Sequence, residues 1–302
     1  MSKLLQVLVI GVITGSIYGF IALGMVLLYR TTGVLNIAHG GIGILSGYVA
    51  HELINFRGQP YYVGILGGVV FGALLGFLFE LLVVQRLQGQ PALQTAATLG
   101  LYVLLQGATF TVPWWQNQAF QVLPSPLLNK TVRVPGTNQF VTFDQLVLVA
   151  ALALFCFGLY YMLRRTRIGL AMRAISDDSA AAGLMGIKPQ WVSRILWTTG
   201  FALSSLTTML LAPITLLDNT SLNLLTLKAL TVAFLGGLVS LPLTVLGALI
   251  LGTLETANDL YWVNVPDLKY AWPFILMFGV LLFRFSQGRR SILDDAPVVA
   301  AR

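Results

Sequence analysis

Residues 164–194 read RRTRIGLAMRAISDDSAAAGLMGIKPQWVSR, a charged stretch between two long apolar runs. It holds six of the chain's 18 lysines and arginines, beside only two acids, Asp177 and Asp178. A basic loop between membrane-length apolar segments marks the cytoplasmic side of a membrane protein. This one stretch therefore decides both the class of the chain and its orientation.

Composition agrees with that class. Hydrophobic residues make up 57% of the chain and charged residues 10%, where soluble domains carry about 25% charged. Glycine is frequent, at 30 of 302 residues, as it is in transmembrane helices. The net charge of +7 falls in loops between apolar runs, not on an aromatic-studded face. It points to a lipid bilayer and to no nucleic-acid partner. Cys156 is the only cysteine, which excludes an intrachain disulfide or a cysteine metal cluster. The run Leu4 to Leu28 is too long for a signal peptide and reads as an uncleaved first helix.

Apolar runs of 18 or more residues can cross about 30 Å of hydrocarbon. The chain carries them at Leu4–Tyr29, Leu35–Ile54, Tyr62–Val84, Leu93–Val112, Phe143–Leu163 and Ile195–Leu217, and a shorter final span is read at about Tyr270–Phe285. Pro113 stops the fourth, with Trp114 and Trp115 at the interface. The run Leu224–Thr256 is too long for one span and is interrupted by Gly236, Gly237, Ser240 and Pro242. Proline removes a backbone donor and breaks the helix. A hairpin is expected, with one helix reaching Leu241 and a second reaching Thr256.

Charge parity supports this reading. With residues 164–194 in the cytoplasm, alternation puts Arg30, Arg86 and the C-terminal arginines inside as well, giving 12 basic residues inside and six outside. The hairpin is needed for that balance. The expected fold class is therefore all-α: a polytopic membrane helix bundle of eight to nine spans with broken or re-entrant helices. Residues 1–302 form one transmembrane domain, with its N-terminus outside and its C-terminus cytoplasmic. A short echo suggests an inverted repeat: Asn36-Ile-Ala38-His39-Gly40-Gly41 against Thr231-Val-Ala233-Phe-Leu-Gly236-Gly237. Such repeats, with Gly-interrupted helices, are a transporter feature in which substrate passes between them.

Inside the charged stretch, Ser176 is suited to cap a helix, and Asp177 and Asp178 suit its first turn. Ala180, Ala181, Ala182, Leu184 and Met185 favour helix, and Gly186 can close it in a left-handed conformation, with Pro189 beyond. The expected helix, Asp177 to Met185, is about 13 Å long. It ends in Leu184, Met185 and Ile187, an apolar knob in a solvent-side loop, and such a knob marks a protein contact. Arg164, Arg165 and Arg167 are expected only to anchor the preceding span near anionic head groups.

Polar residues in or near the spans are Asn36, His39, Glu52, Glu80, Gln106, Glu255 and Asn258. Glu52, Glu80, Glu255 and Asn258 sit near span ends, and a water-facing position is expected for them. Asn36 is placed to cap the second span, with His39 one turn on. No metal-ligand cluster, nucleophile elbow or phosphate-cradling loop is present, so an ATP-driven transporter would need its ATPase on another chain. No cofactor is implied. Intramembrane carboxylates of the kind a secondary transporter needs for ion coupling are scarce, and a potassium-type filter is absent.

Three blocks carry a family resemblance: Gly33-Val-Leu-Asn36-Ile-Ala38-His39-Gly40 with Gly47-Tyr48; Arg167-Ile-Gly169, Arg173-Ala174, Asp178 and Leu184-Met-Gly186-Ile187; and Lys228-Ala229-x-Thr231-x-Ala233-x-Leu-Gly236-Gly237, Pro242, Gly247 to Gly252 and Glu255. In order and spacing they resemble the LivH-type permeases of bacterial branched-chain amino acid ABC importers. The resemblance implies a second homologous permease, two cytoplasmic ATPase subunits, an extracytoplasmic solute-binding protein and a place in the bacterial inner membrane. It also implies that residues 164–194 are the cytoplasmic coupling loop, with Asp177, Asp178, Ala181, Ala182, Leu184, Met185, Gly186 and Ile187 meeting the ATPase. Asn36, His39, Gly40, Thr231, Gly236 and Gly237 are the candidates for the translocation path. Gly41, Val239, Leu243 and Ser286-Gln-Gly288 depart from the family pattern. Urea and short-chain amide permeases share the architecture and remain an alternative, as does a stand-alone transporter or channel.

Overall fold

A computed structural model describes residues 2–111, 123–127, 130–135, 139–215, 219–262, 264–265 and 267–286. The described helices are α1 (Ser2–Thr32), α2 (His39–His51), α3 (Tyr61–Leu82), α4 (Pro91–Thr111), α5 (Phe143–Arg165), α6 (Arg167–Asp177), α7 (Ser179–Leu184), α8 (Pro189–Leu211), α9 (Asn219–Leu235), α10 (Leu241–Tyr261) and α11 (Leu268–Ser286). A π-helical turn, Glu52–Phe56, extends α2, and a 3₁₀ turn, Val84–Leu87, follows α3. Strands β1 (Thr131–Arg133) and β2 (Phe140–Thr142) pair antiparallel, with Val132 opposite Val141. They lead into α5, which opens with a capping box between Thr142 and Gln145. The expected interface residues Pro113, Trp114 and Trp115 lie outside the described residues, as do Leu217, Arg289 and Arg290.

The chain is a multi-pass, all-α membrane protein. Among the described residues four helical segments, Lys3–Thr32, Tyr61–Leu87, Phe143–Arg165 and Leu241–Tyr261, are long and apolar enough to cross a bilayer. Helix α1 is the centre of the bundle. Ala22, Leu23, Val26 and Leu28 on it are wholly buried, and α5, α6, α8, α9 and α10 pack around it. Its closest neighbour is α10, and the two run antiparallel: Gly11 faces Thr253, while Gly15 faces Ala248 and Leu249. A Cβ at Gly15 would lie 2.7 Å from the Ala248 carbonyl oxygen. Small residues at such crossings let backbones approach and gain dispersion contacts, since lipid supplies no hydrophobic drive between helices.

Helix α3 uses the same device against α2 and α8. Gly64, Gly68, Gly72 and Gly76 recur every four residues and are all buried. This spacing puts them along one face of the helix. A Cβ at Gly68 would lie 2.9 Å from the Ser46 carbonyl oxygen, and one at Gly72 would overlap the Ser205 hydroxyl. Leu66, Val70, Leu74 and Phe77 point outward instead and are exposed.

The expected hairpin is present as two helices, with its first helix ending at Leu235 rather than Leu241. A Schellman closure stops it early. Gly237 is left-handed (φ 68°), its N–H donates to the Phe234 carbonyl at 2.9 Å, and the Leu238 N–H donates to the Ala233 carbonyl at 2.8 Å. These are the two bonds that define the motif. Leu238 also has positive φ, at 60°, and it is held there by burial. Ser240 then caps α10, with Pro242 in its first turn.

Three links gather the basic residues at one end of the bundle. The Ser176 hydroxyl of α6 donates to the Arg30 carbonyl at the end of α1. Arg194 at the start of α8 pairs with Glu80 at the end of α3. The antiparallel α1–α10 crossing brings the start of α10, and so the 236–240 turn, toward the same end. Arg30, the segment bearing Arg86 and residues 164–194 are therefore neighbours in space, as charge parity requires.

Candidate functional site

The chain between α1 and α2 is the first candidate. Gly33, with φ 69°, turns the chain out of α1. The next residues stay non-helical because their backbone groups find partners on α4. The Leu35 and Ile37 amides donate to the hydroxyls of Thr95 (3.3 Å) and Thr98 (3.1 Å), and Thr98 donates to the Leu35 carbonyl at 3.1 Å. The second span thus begins as a loop and becomes helical at His39. Asn36 does not cap it. Ala38 takes the cap position and no side chain bonds there.

Asn36 is wholly buried and His39 nearly so. Neither the Asn36 amide nor either His39 ring nitrogen has a hydrogen-bond partner among the described residues. Buried polar atoms are nearly always paired, with protein, water or ligand, and one left unmet costs about 1–3 kcal/mol. The His39 ring lies against Gly24 of α1, where a Cβ would come within 2.7 Å of Cε1. The His39 carbonyl accepts from the Ser204 hydroxyl of α8. Further along α2, Ser46 and Ser205 share a hydrogen bond of 2.7 Å. A seam of small polar groups therefore runs between α2 and α8, headed by two unmet side chains.

Gly40 joins this seam to α9, since a Cβ there would overlap the Thr226 hydroxyl. Thr231 is buried and bonds back to the Leu227 carbonyl at 3.3 Å. Gly236 and Gly237 are elsewhere. Gly236 packs against Thr244 inside the hairpin, about 15 Å along α9 from Thr226 at 1.5 Å per residue. The structure thus brings Asn36, His39 and Gly40 together beside α9 and leaves the two hairpin glycines at its turn. The two echoing segments also differ locally, one opening a helix and the other closing one.

The carboxylates near the span ends depart from expectation. Glu80 is fully buried and accepts from Arg194 Nε at 3.3 Å and from Gln85 at 3.2 Å. Asn258 is fully buried and bridges the Val265 carbonyl and the Trp272 indole, both at 3.4 Å. Glu255 is buried and paired with Lys228 at 2.9 Å, and Tyr18 donates to the same oxygen at 2.5 Å. Only Glu52 keeps a partly exposed position. Each buried group has found a charged or polar partner on another helix or an adjoining loop, which relieves the cost of burial. Gln106 is satisfied locally by Tyr102.

The charged loop holds two helices where one was expected. Thr166 caps α6, accepting from the Gly169 amide at 3.1 Å. Ser176 lies in the last turn of α6 and does not cap. The break falls at Asp178, extended at φ −153°, whose Oδ1 accepts from the Ala181 amide at 3.0 Å and so opens α7. Gly186 closes α7 as expected. It is left-handed at φ 84°, and the Ile187 N–H donates to the Ala182 carbonyl at 3.1 Å. Leu184 and Met185 are 90% and 84% exposed, whereas Ala182 is buried and Ile187 packs against the core. Asp177, Asp178, Ala181 and Gly186 are exposed beside the knob.

Sequence reasoning passed over Tyr18 and gave Lys228 no role beyond its place in the third block. The signal available was a lone lysine inside the apolar α9 run.

Comparison with known proteins bears on the family of the whole chain. The branched-chain amino acid permease protein BraD of Pseudomonas aeruginosa is 27% identical over 93% of this chain and 94% of its own length. LivH of Escherichia coli is 28% identical, covering 92% of each chain. A probable LivH of Methanocaldococcus jannaschii is 25% identical over 83% of this chain and 79% of its own. No solved structure gives a significant match. The family model described as "Branched-chain amino acid transport system / permease component" matches residues 7–281. With nearly its whole length matched, the chain belongs to the family of branched-chain amino acid transport permeases.

Proposed function

We propose that this chain forms one half of the transmembrane path of an ATP-driven importer for branched-chain or related amino acids in a bacterial inner membrane. It pairs with a second, homologous permease. Two cytoplasmic ATPase subunits drive the pair, and an extracytoplasmic solute-binding protein delivers the solute. The N-terminus lies outside and the C-terminus in the cytoplasm.

The observation that carries this reading is the knob of Leu184 and Met185 at the end of α7. Two large apolar side chains left almost fully exposed in a polar loop suit a contact with another protein. Behind them α6 is tied to α1 through Ser176 and packs on α5 and α8. A push on α7 therefore reaches the central helix through α6. Movement of α1 against α2 and α8 would open and close the seam at Asn36, His39 and Gly40, with Thr231 on the facing helix. Gly236 and Gly237 shape the hairpin turn at the cytoplasmic end.

The test is copurification of the ATPase subunits with a Leu184→Asp/Met185→Asp permease. The double variant should insert in the membrane and lose the ATPase. Retention of a full ATPase complement would refute the docking surface.

A further inference from the structure

Lys228 and Glu255 form an ion pair inside the bundle, with their side chains 15% and 7% exposed. Tyr18, about midway along α1, donates to Glu255 Oε2 at 2.5 Å, and Lys228 reaches the same oxygen at 2.9 Å and the Tyr18 hydroxyl at 3.2 Å. The Lys228 ammonium also lies over two aromatic rings, 5.4 Å from that of Tyr18 and 5.8 Å from that of Tyr270. Four helices, α1, α9, α10 and α11, thus meet at one charged point. Ionisable groups at such depth are costly and mark substrate or ion pathways.

The arrangement is incomplete in a particular way. Both donors converge on Oε2, and Oε1 is buried with no partner among the described residues. An ammonium has three donors, and two of those on Lys228 are used within the cluster. One acceptor on Glu255 and one donor on Lys228 are therefore left over, on an ion pair of net zero charge.

Resting on the amino-acid reading above, we propose that Lys228 and Glu255 bind the zwitterionic head group of the transported amino acid. The solute's ammonium bonds Glu255 Oε1, and its carboxylate bonds Lys228. Tyr18 holds the glutamate in place, and the rings of Tyr18 and Tyr270 flank the site. A zwitterion fits because each of its charges meets an opposite one. A simple cation would face Lys228 and a simple anion Glu255, and like charges brought together repel. The internal pair also means that the site holds no bare charge while empty, which a lone lysine or glutamate would impose.

The experiment is ATP-driven uptake of radiolabelled leucine by the full importer in proteoliposomes, with its solute-binding protein present. Lys228→Met and Glu255→Gln should each lower uptake at least tenfold, and Glu255→Asp, which keeps a carboxylate, should retain a measurable part of it. The Lys228→Met/Glu255→Leu variant separates binding from scaffolding, because an apolar replacement of a buried pair commonly preserves folding. It should assemble, melt at the wild-type temperature and still fail to carry leucine. Wild-type uptake by that assembled double variant overturns the head-group site and leaves the importer reading intact. A wild-type importer that carries no amino acid overturns both.

Discussion

The hydroxyl of Ser176 donates to the carbonyl of Arg30 at 3.0 Å, across 146 residues of sequence. The bond fastens the last turn of α6 to the last turn of α1, so the charged loop is tied to the central span. Ser176→Ala removes it at a cost of about 1 kcal/mol. The expected result is an importer that assembles normally but moves less leucine per ATP hydrolysed. Simultaneous measurement of uptake and ATPase rate in proteoliposomes checks it.

Gly72→Leu should be among the most damaging single changes in α3. Its Cβ would overlap the Ser205 hydroxyl and force apart the Ser46–Ser205 pair. Overpacking of this kind costs about 1–3 kcal/mol. Gly100 and Gly107 on α4 have open space where a Cβ would go, so alanine there should be neutral or raise the melting temperature slightly. Thermal unfolding in detergent tests both expectations.

Arg194→Met leaves the fully buried Glu80 without its ion-pair partner. Arg194 itself is 37% exposed, which places the expected cost at about 1–3 kcal/mol, below that of a wholly buried pair. Arg194→Met/Glu80→Gln should recover most of the loss, because no charge is then stranded. A double-variant melting temperature below that of Arg194→Met would refute this account.

Gly186→Ala should loosen α7 locally. The position is left-handed with nothing crowding it, so the penalty is conformational, about 1 kcal/mol. Hydrogen exchange at the Ile187 amide, bonded to the Ala182 carbonyl, should quicken about five-fold. The global melting temperature should not move.

Features written into local sequence were legible before the fold. The apolar runs, the hairpin break at Gly236 to Pro242 and the closure at Gly186 each depend on residues a few positions apart. What could not be read were groups whose partners lie far along the chain. Asn36 fails to cap α2 because threonines 60 residues away hold the preceding backbone. Glu255 is buried because Tyr18, 237 residues distant, and Lys228 meet it. Helix α6 was missed for another reason: its arginines and Asp177 give it little overall hydropathy, although its Met172 face is buried. The glycine stripe of α3 is plain in the sequence. Its meaning depends on Ser205, which only the fold brings opposite it.

The gathering of basic residues at one end of the bundle has an electrostatic counterpart. Helices α1, α3, α5 and α9 all end there, so four helix dipoles turn their negative ends to the same side. Aligned peptide dipoles give each such end a partial negative charge, and a nearby cation is worth about 0.3–1 kcal/mol. Arg30, Arg164 and Arg165 lie in the last turns of α1 and α5, and Arg86 lies in the turn that follows α3. The arginines proposed to hold the protein in its orientation thus also neutralise the field its own helices create.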